Sequence, residues 1–203
     1  MSQFEIETKW SGAKVSRRKF KKFVLRTIAD LKSVKDYKFK NSGGPDYYFV
    51  NSLGYVARHR DSEDCKELTV KARVAADDIK IRVEHNIPLD LEKATAKTVH
   101  AFLRTSGYLK TLTITKNCDI YLISSKGSRV KTTVVWYEVS SKGFKNRQFI
   151  EVEVDHGSKK ERLKILKMWT RLIRKHLGLK DKDICKDSLY EIYSNKRYLM
   201  VRG

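Results

Sequence analysis

A chain of 203 residues, 40% of them hydrophobic, is long enough for one sizeable core and too apolar for a disordered polymer. Its formal charge of +20, from 44 Lys and Arg against 24 Asp and Glu, asks for an anionic partner such as nucleic acid, nucleotide, polyphosphate or an anionic membrane. Two prolines, ten glycines and three scattered cysteines without CxxC spacing set aside flexible linkers, a disulfide framework and a thiolate zinc site.

Period-two alternation predicts strands over 3–10, 46–50, 54–61, 66–74, 79–88, 110–116, 119–124, 130–139 and 148–155. Gly43-Gly44-Pro45, Asn51 to Gly54, Asp61 to Asp64, Asp77-Asp78 and Lys126-Gly127-Ser128 supply the turns between them. Connections this short imply antiparallel neighbours. Helical spacing predicts 16–32 behind a Ser16 cap, 91–106 behind Asp90, and a short helix near 187–194. The strongest helix is 159–177, where Ser158 with Glu161 forms a capping box and Gly178 ends the run. The fold class is α+β, one domain over 1–203, with a large antiparallel sheet and helices packed outside it. With no apolar signal core and no run near the ~20 residues of a membrane span, a cytoplasmic protein without a membrane partner is expected.

Charged residues fall on one parity of these strands. Glu5, Glu7 and Lys9 alternate with Phe4, Ile6 and Thr8, and Glu151 and Glu153 alternate with Ile150, Val152 and Val154. Arg58 and Arg60, then Thr69, Lys71 and Arg73, then Lys80, Arg82, Glu84 and Asn86 repeat the pattern. Neighbouring carboxylates repel unless cations compensate, and hard divalent metals or a ring of Lys and Arg are the candidates. In an open sheet the charged face would meet water; in a closed barrel it would line a lumen suited to a polyanion carrying metal.

The run Glu5-Ile6-Glu7-Thr8-Lys9 resembles the ExExK signature of the CYTH, or triphosphate tunnel metalloenzyme, superfamily. Asp46-Tyr47-Tyr48-Phe49 is similar to its D-x-Y-F segment, Arg58-His59-Arg60 to R-x-R, Leu68-Thr69-Val70-Lys71 to L-T-x-K, and Arg82-Val83-Glu84 to R-x-E. Phe149 to Glu153 resembles the late F-x-E-x-E strand, and Ser188 to Ile192 the closing S-Y-x-E-L helix. Asn86 departs from an acidic position, and Lys116-Asn117-Cys118 keeps the lysine of a K-x-R strand without its arginine.

The resemblance implies a closed, eight-stranded antiparallel β-barrel, a tunnel that binds a triphosphate with Mg²⁺ or Mn²⁺. The implied phosphate ligands are Lys9, Arg58, Arg60, Lys71, Arg82 and Lys116. The implied metal ligands are Glu5, Glu7, Glu84, Glu151 and Glu153, and the catalytic set is Glu5, Glu7, Lys9 and Arg82. The implied activity is a metal-dependent triphosphatase acting on a nucleotide, an RNA 5′ end or inorganic triphosphate. A class IV-like adenylate cyclase, a non-catalytic nucleotide or polyphosphate binder, and a plain RNA-binding protein stay open as alternatives.

Other features point to structure. His59, between two arginines, should face the packed side, as should His85; His156 sits in a turn before a helix, and His100 and His176 sit in helices. No zinc cluster, P-loop or Rossmann fingerprint is present. The basic stretch from Lys14 to Lys40 reads as the solvated side of an amphipathic helix, since no aromatic platform interleaves its charges.

Overall fold

Nine antiparallel segments make one sheet in the computed structural model, which describes residues 3–4, 6–11, 15–71 and 83–194. They are β1 (Gln3–Phe4), β2 (Ile6–Ser11), β3 (Val34–Val50), β4 (Val56–Ser62), β5 (Cys65–Lys71), β6 (Val83–Pro88), β7 (Leu109–Ser125), β8 (Lys131–Ser140) and β9 (Arg147–Asp155). The order across the sheet is β1-β6-β5-β4-β3-β7-β8-β9-β2. The two segments at its ends, β1 and β2, are consecutive in the chain with only Glu5 between them.

The described ladders leave the sheet open, so the barrel expected from the sequence is not closed by them. β1 pairs with β6 through Gln3–Glu84 and Phe4–Val83. From Lys9 onward the second edge of β2 is taken elsewhere: Trp10 bridges Ile184, and the Cys185 N–H donates to the Lys9 carbonyl at 2.7 Å.

Two strands are longer than alternation suggested. β3 begins at Val34 and not at 46, and 110–116 and 119–124 are one continuous β7. Gly43-Gly44-Pro45 therefore lies inside a strand and makes no turn. A side chain at Gly43 would bring its Cβ within 2.7 Å of the Lys116 carbonyl oxygen. At Gly44, whose φ is +147°, the Cβ would meet the Asp61 carbonyl at 2.7 Å. Glycine is needed here for close approach of backbones, its other use within sheets.

The helices follow their caps. α1 (Arg17–Asp30) starts where the Ser16 hydroxyl accepts from the Lys19 N–H. α2 (Ala96–Thr105) is shorter than expected: Asp90 accepts from the N–H groups of Glu92 and Lys93 in a turn, and Thr95 caps the helix. α3 (Lys159–Leu177) has both halves of the Ser158–Glu161 capping box and a left-handed Gly178. Such a cap contributes about 1 kcal/mol. α4 (Leu189–Tyr193) repeats the device with Ser188 and Glu191.

α1 and α3 cover one face of the sheet, burying Trp10, Phe20, Tyr121, Trp136, Ile150, Val152, Trp169 and Ile173 in the main core. Each large apolar side chain there contributes roughly 1.5–3 kcal/mol. α2 covers the same face further along, packing Val99 and Leu103 on Phe49, Ala57 and Leu68. α4 does not join them. Its Leu189, Tyr190 and Tyr193 pack on Tyr48, Ile114, Tyr137 and Phe149, which point from the opposite face. α4 thus packs against the face that carries the charges, and α1, α2 and α3 against the other.

Candidate functional site

Residues directly opposite one another in an antiparallel ladder project to the same side, so register traces a face across the sheet. Glu7 pairs with Glu153, and Lys9 with Glu151. Glu153 pairs in turn with Thr133, Glu151 with Val135, and Phe149 with Tyr137. Tyr137 pairs with Cys118, and Lys116 lies two residues along on that side. Lys116 pairs with Gly44 of β3, two residues from Asp46. Asp46 then meets Arg60, and Tyr48 meets Arg58. Arg60 meets Glu67, Arg58 meets Thr69, and Lys71 meets Glu84. The parity read from isolated strands becomes one shared face, on which the charged side chains stand among Tyr48, Ile114, Tyr137, Val139 and Phe149.

At its centre, Asp46 is 1% exposed and accepts from two cations. Arg60 Nε donates to Oδ1 at 3.0 Å, and Lys116 Nζ sits 2.7 Å from Oδ2. Burial alone would raise the Asp46 carboxyl, but Lys116, Arg60 and Arg58 hold it well below the ordinary carboxylate range. Arg60 is raised by the same carboxylate. Lys116 moves the other way, since burial and then the two arginines favour its neutral form more than Asp46 opposes it. Beside this trio, Arg58 Nη2 donates to Glu67 Oε1 and to the Thr69 hydroxyl, each at 2.9 Å. Three cations are thereby crowded against two carboxylates. Like charges at this spacing are costly, and an entering polyanion relieves them.

The acidic end is ordered by a phenol. Tyr137 Oη donates to Glu151 Oε2 at 2.8 Å, and burial followed by the Glu151 charge raises the phenol well above its ordinary value. The Tyr137 ring stacks on Phe149, and Lys116 Nζ lies 5.6 Å from its centroid. Lys9, 5% exposed, donates from Nζ to the Asp187 carbonyl at 2.5 Å, which ties β2 to the entry of α4.

Of the residues singled out in the sequence, the structure brings Glu7, Lys9, Arg58, Arg60, Lys116, Glu151 and Glu153 to this face, and Lys71 and Glu84 occupy register positions along it. Glu5 and Arg82 lie outside the described residues. Sequence reasoning missed Asp46, Glu67 and Tyr137 as members. Glu67 shares the parity of Thr69 and Lys71 and was legible; Asp46 and Tyr137 needed the register. His59 faces away as expected: it is fully buried, with Nδ1 3.3 Å from His100 Nε2 and its ring stacked on Tyr47. All three cysteines are free.

Among the described residues, no three His, Cys, Asp or Glu side chains form a ready cage for a metal ion. The donor chemistry nevertheless suits a hard cation. Mg²⁺ is commonly held by one or two carboxylates with substrate phosphates completing its shell, and Glu7, Glu151 and Glu153 offer such a partial set.

Comparison with protein-family models gave no match, and neither did comparison with curated proteins. Solved structures do resemble the chain. A conserved hypothetical protein from Pyrococcus furiosus aligns at 20% identity over 92% of this chain and 98% of that one, with a TM-score of 0.59. A protein from Pyrococcus horikoshii OT3 aligns at 20% identity over 93% and 97%, with a TM-score of 0.61. These two likenesses establish a shared fold. The mimivirus capping enzyme triphosphatase aligns at 12% identity over 84% and 88%, with a TM-score of 0.46, too distant to carry an argument. No described helix is long and apolar enough to cross a membrane.

Proposed function

We propose that this chain is a divalent-metal-dependent triphosphatase of the triphosphate tunnel type, cleaving a phosphoanhydride bond in a nucleotide, an RNA 5′ end or inorganic triphosphate. The observation that carries the proposal is one face on which a cationic cluster around Arg58, Arg60 and Lys116 is joined to the carboxylates Glu7, Glu151 and Glu153 through Tyr137, which donates to Glu151 and whose ring centroid lies 5.6 Å from Lys116 Nζ. That β1 and β2 are consecutive yet sit at opposite ends of the sheet supports a sheet curled toward closure, with this face as the lining of a tunnel.

In this tunnel Arg58 and Arg60 grip phosphoryl oxygens through their planar forks, while Lys116 and Lys9 act as point charges. The resemblance adds Lys71 and Arg82 to these phosphate ligands. Glu7, Glu151 and Glu153, joined in the resemblance by Glu5 and Glu84, would hold Mg²⁺ or Mn²⁺, which would supply Lewis-acid neutralisation of the phosphoryl oxygens. Tyr137 fixes the orientation of the Glu151 carboxylate. Arginine donors aimed at the transferred phosphoryl group stabilise the charge that grows there during in-line attack by water. A Glu7 or Glu153 carboxylate oxygen accepts the proton that water gives up.

A second reading has its own support. Asp46 already neutralises Arg60 and Lys116, and Asn86 stands where a carboxylate is expected. Both suit a protein that binds triphosphate without turning it over. A panel of triphosphate compounds with Mg²⁺ and Mn²⁺ separates these outcomes. Release of orthophosphate supports the proposal; pyrophosphate with a cyclic nucleotide marks a cyclase; tight binding without either product marks a binder.

A further inference from the structure

The first half of β3 is exposed from Lys35 to Lys40, and it carries two large rings into solvent: Tyr37 is 43% exposed and Phe39 45%. Two residues apart in a strand, they share a side and stand about 6.7 Å apart along it. Their register partners, Ile123 and Tyr121, belong to the core beneath α1 and α3, so these rings lie on the sheet face opposite Asp46 and Arg60. Lys21 of α1 hangs over Phe39, its Nζ 5.5 Å from the ring centroid. Beside Tyr37 a groove of about 510 Å³ opens between the end of α1 and the start of β3. Its lining mixes apolar Ile28, Leu31 and Val34 with Lys32, Lys35 and Lys126, and Asp36 is its one carboxylate.

We propose that this groove and the Tyr37–Phe39 platform bind single-stranded RNA, with bases stacked on the two rings and phosphates held by Lys21, Lys32, Lys35 and Lys126. The combination of flat exposed rings and interleaved lysines is what strand binders use, because every base has a face to stack and every nucleotide a charge to neutralise. The expectation that no aromatic platform interleaves the basic stretch is corrected here: Tyr37 and Phe39 alternate with Lys38 and Lys40 in β3, Phe20 and Phe23 of α1 turn into the core, and the packing of α1 against β3 sets Lys21 over Phe39. An anionic bilayer fits less well, since two rings on one strand make no broad apolar face to insert. The proposal is independent of the triphosphatase reading, because the two sites occupy opposite faces.

Fluorescence anisotropy of a labelled oligouridine of about 12 nucleotides, titrated with the full chain, tests it. The Tyr37→Ala/Phe39→Ala variant weakens binding roughly tenfold or more. The Lys32→Glu/Lys35→Glu variant, altered only at exposed positions, weakens it too and lowers the slope of log affinity against log salt by about 1.4. Both variants keep the wild-type circular dichroism spectrum and hydrolyse inorganic triphosphate as wild type does, and excess triphosphate at constant ionic strength leaves the RNA bound. Wild-type RNA affinity in both variants overturns the proposal. So does displacement of RNA by triphosphate, or retention of the protein on phosphatidylserine vesicles with no affinity for the oligonucleotide.

Discussion

Glu7 stands directly across the β2–β9 ladder from Glu153, so two carboxylate side chains from opposite ends of the chain share one side of the sheet. Directly opposed like charges destabilise a strand pair, and a bound divalent cation reverses the sign of that interaction. Mn²⁺ should therefore raise the melting temperature of the wild-type protein in a concentration-dependent way. In Glu7→Gln and Glu153→Gln the shift should shrink or vanish. An equal shift in both variants would remove these residues from the metal site.

Asp46 should be the stability-critical carboxylate of the polar face. Asp46→Ala leaves Lys116 and Arg60 without their counter-ion, which costs about 3 kcal/mol, the lower end for broken buried pairs because Arg60 is partly solvated. Urea unfolding measures it. The pH dependence has a definite sign: the folded-state value is depressed, so the contribution is present above the unfolded value near 3.9 and is lost as pH falls through the folded value.

The His59–His100 pair should give a second, separate acid limb. Both rings are held below the ordinary imidazole value, first by burial; Lys110 adds to the effect on His100, and His100 to that on His59. The unfolded chain thus takes up protons more readily, so this stability is complete above about pH 6.5 and is lost as pH falls through the lowered values. His100→Gln should flatten the fall in urea midpoint between about pH 6.5 and 5. An unchanged slope would mean other groups set it.

Tyr137→Phe removes a hydrogen bond to the Glu151 carboxylate and should cost about 1.5–3 kcal/mol in stability. Metal binding should weaken as well. Losing the group that orients a ligand typically weakens metal affinity 10–100-fold. Titration of Mn²⁺ under turnover, read as a rise in half-saturating metal without a matching loss at saturation, checks the positioning role.

Much of this arrangement was legible in the sequence, and the exceptions share a cause. Glu151 and Glu153 declare their face because their neighbours are buried aliphatics, and Arg58 and Arg60 because Ala57 and His59 alternate with them on the buried side. The start of β3 has no buried side to pattern it: Lys35, Asp36, Tyr37, Lys38, Phe39 and Lys40 are all exposed, and Gly43-Gly44-Pro45 mimics a turn. The partnership of Asp46 with Lys116 depends on a β3–β7 register spanning 70 positions of sequence, which alternation within one strand does not encode. The placement of α4 on the charged face was hidden likewise, because Leu189, Tyr190 and Tyr193 mark an apolar stripe without saying which side of the sheet receives it.

Phosphate release from inorganic triphosphate in Mn²⁺, compared between wild type and Arg58→Ala, decides whether this face is catalytic. Metal-dependent orthophosphate is expected from the wild type, with a loss of roughly 10²–10³-fold in the variant and its melting temperature nearly retained. Equal turnover in both proteins, or none in wild type with any triphosphate and either metal, would contradict a catalytic face.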